Sequence, residues 1–419
     1  MGDDVRHPPM SSAGSQRKLL IVAATLFFIG VGYVTVLRAT KAFKQTDFTI
    51  YIAAAHSVLR GGEDLYRLTN ERGWNYNYPP LFAVLMVPFA KMSLFWAALT
   101  WYVISVILAA SAVRMCVAMV HDHSRGTPGP LLYALPLCLI GWPLMSALTR
   151  GQASVLLLWL VVAAVFYNSK GRDIVGSACL AGAIVVKVFP VVLLAYFVWR
   201  KHWRFVVGTF VGVALGAFVL PAGALGWQRN LSQLQEWVRV LAKPALNIEA
   251  ADRQSQRYLE LLSPEKSRNQ SLQAVLGRLT GAPKMREIAA GISLVMFGAI
   301  VFVGRRSGVS SEFLIVSAVF AWTLLMPPVS ETHYFMLLLL PLTAMVRVAA
   351  HGPDAATQRL ARIVLVVFGA LNIAGKPVEY YGPMFWGTLV LWAVLIVTVR
   401  RFTTGTVSYT VASPLAPVH

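Results

Sequence analysis

Charge is what this chain has least of. Only 13% of its 419 residues are Asp, Glu, Lys or Arg, where soluble domains carry about 25%. Acids are the scarcer sign, 18 against 37 bases. No stretch has the polar make-up of a soluble domain, no heptad pattern supports a coiled coil, and no repeat is visible by eye. Cysteine is nearly missing: Cys116, Cys138 and Cys179 fall in apolar runs, odd in number and without metal spacing, which excludes a disulfide framework. They read as small buried hydrophobes. There is no nucleotide-binding glycine loop and no cluster of metal-ligand residues, so the expected chemistry uses neither cofactor nor metal.

What fills the chain instead is apolar. Hydrophobic residues make up 57% and the mean hydropathy is +0.62. Runs near crossing length recur from Leu19 to Val399, so the fold class is all-α, a polytopic transmembrane helical bundle. A net charge of +19 would suit a nucleic-acid partner, but the bases sit in short loops between apolar segments. They are orientation signals, and no nucleic acid is expected. The first apolar stretch, Leu19 to about Leu37, follows Arg17 and Lys18. It exceeds a signal-peptide core and lacks a small-residue cleavage site, so it reads as a retained helix.

Placing the basic loops in the cytoplasm threads the chain as one membrane domain, 1–419, with 1–18 as a cytoplasmic tail. Residues 39–80 form a first external loop with short helices, and 224–287 a long external loop. "YPPLFAVLMVPFA" is too short and proline-rich to cross. "NSKGRD" and "RKHWR" are both basic yet only one apolar segment separates them. Two short helices, breaking near Lys187 and Pro190, keep both inside, and Pro190 disfavours helix at Phe189. Broken helices at membrane depth imply a cavity. The count reaches about 12 segments, with both ends cytoplasmic.

This threading sends Asp47, "NYNYPP", Arg150, Gln152, Lys187, "NQS" and His333 to one face. Ionisable groups at a membrane edge are functional candidates: a carboxylate can take a proton, Arg and Lys can hold an anion, and Tyr66, Tyr76 and Tyr78 offer platforms for sugar rings. Each has a plainer reading. Asp47 fits a helix cap, Lys187 a snorkelling side chain, Arg150 a helix-end charge and His333 a structural histidine. "NLS" (Asn230–Ser232) and "NQS" (Asn269–Ser271) fit the glycosylation sequon.

The ordered motifs "DFTIYIAAAHSVLRGGEDLY", "YPPLFAVLMVPFA", "RGQASVLLLWL", "KVFPVVLLAYFVWRKHWR", "NQSLQAVLGRL" and "ETHYFMLLLLPL" resemble glycosyltransferase family 87, over nearly the whole chain. This family belongs to the GT-C superfamily and includes mycobacterial alpha-1,2-mannosyltransferases that use polyprenyl-phosphate mannose. Relatives tend to carry an aromatic residue and paired histidines before the tenth helix, where this chain has Glu331, His333 and Tyr334. The resemblance implies a GT-C fold and an inverting transfer, most readily of mannose in alpha-1,2 linkage. The donor would be a polyprenyl-phosphate sugar and the acceptor a glycolipid or glycan, meeting at the periplasmic or exterior face of the cell membrane. It implies Asp47 as general base and Lys187 and Arg150 on the donor phosphate. Tyr66, Tyr78, Gln152, Asn269, Ser271 and His333 would bind substrate. A secondary transporter is the competing reading; the lack of a repeat and the one-sided polar residues argue against it.

Overall fold

The computed structural model describes residues 12–41, 46–62, 65–121, 127–243, 263, 265–281, 285–308, 311–374 and 376–404. Among them no strand forms; two isolated bridges, Thr69 with Asn75 and Asn269 with Glu331, are the extent of extended pairing. The helices run in the order α1 (Ser12–Thr40), α2 (Asp47–Leu59), α3 (Pro80–Leu85), α4 (Val87–Ala90), α5 (Leu94–Val120), α6 (Leu131–Leu139), α7 (Gly141–Arg150), α8 (Ser154–Ser169) and α9 (Asp173–Val186). A short 3-10 turn (Phe189–Leu193) leads into α10 (Leu194–Trp199), then α11 (Trp203–Ala214), α12 (Leu220–Leu225) and α13 (Trp227–Trp237). Next come α14 (Leu272–Thr280), α15 (Met285–Gly304), α16 (Glu312–Leu325), a 3-10 turn (Thr332–Leu338) and α17 (Leu339–His351). The chain closes with α18 (Ala355–Ala374), another 3-10 turn (Lys376–Tyr381) and α19 (Pro383–Thr404).

Six helices among the described residues are long and apolar enough to cross a bilayer; α6 and α7, bent by 68° at Ile140, make a seventh if taken as one span. The sequence expectation of about twelve counts further apolar helices, among them α8, α9 and α16, that fall short of the ~20 residues a full crossing needs. The long helices turn apolar faces outward: Leu294 and Val295 on α15 are each 73% exposed. In water such patches would drive association, and in hydrocarbon they are at no disadvantage. The chain is a multi-pass membrane protein.

The expected break at the middle of the basic-loop pair is present, two residues earlier than the proline alone suggests. α9 stops at Val186, Lys187 turns extended (φ −146°, ψ 123°), and Phe189 already belongs to the 3-10 turn. Pro190 thus opens the following helix, where its missing N–H costs nothing. The two basic loops meet at the far end of this V, with Asn168 Nδ2 3.5 Å from His202 Nδ1. Arg200 Nε donates to Glu312 Oε1 at 3.0 Å, which brings the loop before α16 to that same end. Lys187 is the apex at the opposite end, about 21 Å away along α9 at 1.5 Å per residue.

The buried side chains form two clusters. The larger fills the bundle and includes Val155 and Ile184; the smaller gathers around α2, with Phe48, Tyr51, Tyr66, Tyr76, Phe82 and Trp101, and reaches Ala153 and Val186. Gln152, Ser154 and Lys187 therefore lie on the seam between two packed bodies. A seam is where polar side chains find room without opening a core.

Neither sequon offers an open asparagine. Asn230 is 1% exposed and its Nδ2 donates to the carbonyls of Ala217 (3.0 Å) and Phe218 (3.1 Å). Those residues lie in a five-residue π-helical stretch between α11 and α12, whose widened turn leaves carbonyls in need of donors. The proposed external loop 224–287 is only partly within the described residues, since 244–262, 264 and 282–284 lie outside them.

Candidate active site

α2 begins at Asp47 itself. The N-cap position belongs to Thr46, and no side-chain cap bond forms there, so Asp47 is not serving as the cap. Asn70 holds this start in place: its Nδ2 donates to Thr49 Oγ1 at 3.2 Å, while its Oδ1 accepts from the amides of Arg72 and Trp74, both at 3.0 Å. Asp47 is half-buried, but its Oδ2 is sealed from solvent and accepts no hydrogen bond. An unpartnered buried carboxylate oxygen is costly, which marks the group as held for something other than stability. α2 lies outside the segments long enough to span. Burial pushes the Asp47 carboxyl up, the Arg150 guanidinium pulls it down, Glu331 pushes it up and Lys187 pulls it down; the result is a pKa of about 6.

Four residues beyond Asp47, on the same helical face, Tyr51 points into a small polar triangle. Its hydroxyl lies 2.7 Å from that of Tyr78, and both lie 3.3 Å from Gln152 Oε1. Two phenolic protons serve these three contacts, so the triangle can rearrange its donors without moving atoms. Tyr66 stiffens it from below by donating to the Tyr78 carbonyl at 3.0 Å.

The turn carrying Arg150 and Gln152 depends on one glycine. α7 ends in Arg150, and Gly151 follows with φ 61°, the left-handed end that glycine favours. Its carbonyl accepts from Trp101 Nε1 at 2.9 Å, and an added Cβ would lie 2.7 Å from Phe48 Cβ. Gly151→Ala should therefore lose about 2–4 kcal/mol from conformational strain plus overpacking, read as a lower unfolding temperature in detergent. Gly73→Ala is the control: its φ is +72° but nothing lies within 4 Å of the new methyl, so only the smaller conformational part should appear.

Lys187 does not snorkel. Its Nζ donates to Tyr334 Oη at 2.9 Å and to Ser154 Oγ at 3.4 Å, and it sits 4.1 Å and 5.4 Å from the ring centroids of Tyr334 and Tyr78. Phe189 stacks on Tyr334 at 5.1 Å and fixes that ring. All these partners are neutral. Arg150, half-buried at the helix end, lies within electrostatic reach of Asp47 and His333. Its place at a helix C-terminus suits a cation in any case.

His333 is 1% exposed, with Nδ1 3.4 Å from Glu331 Oε2 and Nε2 sealed and unpartnered. Asn269 and Ser271 are equally buried but fully engaged. Asn269 Nδ2 donates to the Pro328 carbonyl (2.9 Å) and Oδ1 accepts from the amides of Ser271 and Ser330. Ser271 caps α14 through the Ala274 amide. The two residues tie the start of α14 to the 328–331 turn, as Tyr66 ties its loop to Tyr78. Asp47, Tyr78, Arg150, Gln152, Lys187 and His333 do come together. Sequence reading passed over Tyr51 and Ser154 and gave Glu331 and Tyr334 no role. Of these only Tyr51 left a signal, its four-residue spacing from Asp47.

An unbonded carboxylate oxygen beside two cations with no ion-paired acid among the described residues can accept a proton and hold an anion at one place. A polyprenol-phosphate-mannose-dependent alpha-(1-2)-phosphatidylinositol mannoside mannosyltransferase of Mycobacterium tuberculosis (strain ATCC 25618 / H37Rv) is 26% identical over 359 residues, 80% of this chain and 78% of that protein. No solved structure matches. The model of glycosyltransferase family 87 matches residues 76–330, a span that holds Tyr78, Arg150, Gln152, Lys187, Asn269 and Ser271. That span is more than half the chain, and the protein belongs to glycosyltransferase family 87, as a multi-pass membrane glycosyltransferase.

Proposed function

We propose that the protein moves mannose from a polyprenyl-phosphate donor to a glycolipid of the phosphatidylinositol mannoside class, in alpha-1,2 linkage and with inversion. The observation that carries this reading is the unpaired state of the charges: among the described residues Asp47 Oδ2 has no donor and the hydrogen-bond partners of Lys187 are neutral. The acceptor oxygen bonds to the anomeric carbon as the bond from that carbon to the phosphate oxygen breaks. The electron pair leaves with the polyprenyl phosphate, and the acceptor's proton passes to Asp47. Arg150 and Lys187 meet the charge that grows on the phosphate. Tyr78, Gln152 and His333 face the sugar, while Tyr66, Asn269 and Ser271 hold the loops that carry them.

In this reading the short apolar helices complete a GT-C bundle of about twelve segments, a single domain with residues 1–18 in the cytoplasm. The basic loops at the far end of the V are cytoplasmic by the charge rule. The site then faces the periplasm or exterior, and the segments 39–80 and 224–287 are its external loops. The test is transfer by purified protein from polyprenyl-phosphate mannose to a phosphatidylinositol mannoside. Absence of product, with saturable uptake of the donor into vesicles, would replace the enzyme mechanism with transport.

The raised carboxyl gives a pH prediction. A base works only when unprotonated, and Asp47 loses its proton at about pH 6. Apparent kcat/KM should be level above that value and fall roughly tenfold per pH unit below it. A profile flat to pH 4.5 would remove Asp47 from the reacting step.

A further inference from the structure

Glu331 is the acid for which the mechanism above has no task. It precedes the Thr332–Leu338 turn, and its backbone bridges to Asn269. That fixes its position from a segment already bolted to α14. Its side chain is one quarter exposed (25%), and its one ionic contact among the described residues is His333 Nδ1 at 3.4 Å. That distance is longer than a charge-assisted hydrogen bond. The carboxylate lies within electrostatic reach of Asp47, Lys187 and Tyr78, so it borders the site.

Its sign is unfavourable for the donor. Arg150 and Lys187 attract a phosphate; Glu331 repels it and also repels the ionised base. A carboxylate kept there at such a cost is matched by donors that arrive with the substrate, and the transferred group is a polyol. A carboxylate offers two oxygens with about four lone-pair sites, spaced to accept from two adjacent hydroxyls. Beside it stands a second group without a hydrogen-bond partner among the described residues, the buried Nε2 of His333.

We propose that Glu331, with His333 next to it, reads adjacent hydroxyl groups of the transferred sugar and is a specificity-determining residue of the donor site. This rests on the donor chemistry proposed above. The test compares polyprenyl-phosphate mannose with its 2-, 3-, 4- and 6-deoxy analogues in the wild-type protein, Glu331→Gln and Glu331→Ala. The wild type should turn over the intact donor and reject at least one analogue by about a hundredfold or more, since a site built for a hydroxyl is left with unpaired groups when it is missing. Glu331→Ala should lose a similar factor on the intact donor and almost nothing further on that analogue, so that discrimination collapses. Glu331→Gln, which keeps shape and can accept at one oxygen, should fall between the two.

No turnover of the intact donor by the wild type would overturn the parent reading and with it this one. Normal wild-type turnover with equal losses on all donors in both variants would overturn the hydroxyl assignment alone. Intact discrimination with a displaced acid limb would also overturn it, making Glu331 a tuner of Asp47.

Discussion

Asp47→Asn is expected to lower kcat by about 10²- to 10⁴-fold, the worth of general-base assistance, and to leave the donor KM within a few-fold. The substitution keeps the shape of the side chain and removes its ability to take a proton. The loss should come without a loss of fold, because the carboxylate does little for stability. Its Oδ2 is sealed without a partner, and Thr46 occupies the cap position. Replacing a buried, under-bonded charge by a neutral amide removes a desolvation penalty, so the unfolding temperature should hold or rise. Steady-state rates and thermal unfolding on the same preparation test both halves. A variant that turns over normally refutes the assignment of the base. One that loses activity only in proportion to lost folded protein makes Asp47 structural.

The parts of this arrangement that sequence revealed are those set by charge and by chain connectivity. Two basic loops on either side of one apolar segment required a break, and the break at Lys187 brings Asn168 and His202 together as that argument demands. Asp47, Arg150, Lys187 and His333 stood out because an ionisable group in an apolar chain is expensive wherever it sits. The contacts among them did not stand out. Tyr78 and Gln152 are visible singly in the sequence, but their triangle with Tyr51 spans separations of 27, 101 and 74 residues, and only the four-residue spacing from Asp47 points to Tyr51. The engagement of Asn269 and Ser271 with the 328–331 turn is hidden for the same reason. Their polar atoms suit a ligand equally well until the 328–331 turn is brought against them. The number of crossings does not follow from helix length alone, because apolar length and helix length differ: prolines and the bend at Ile140 divide apolar runs into helices shorter than a full crossing.

Lys187→Met carries the second large effect. Lys187 is a half-buried ammonium held by two hydroxyls and two ring faces. Hydroxyls and π-faces orient the charge without neutralising it, so a phosphate arriving there gains a strong partner. Removing one such oriented donor from a developing oxyanion costs about 10²- to 10³-fold, and kcat/KM for the donor should fall by that much. Part of the effect should appear in binding alone, as weaker inhibition by polyprenyl phosphate, since the product carries more negative charge than the donor's phosphodiester. Lys187→Arg should recover only a fraction, because a planar fork cannot occupy a place shaped between the Tyr78 and Tyr334 rings for a point charge. The methionine keeps the apolar stem packed, and the fold loses no ion pair. Unchanged donor saturation and unchanged inhibition by polyprenyl phosphate in Lys187→Met would show that the ammonium only braces Tyr334 against Phe189, leaving Arg150 to hold the leaving group by itself.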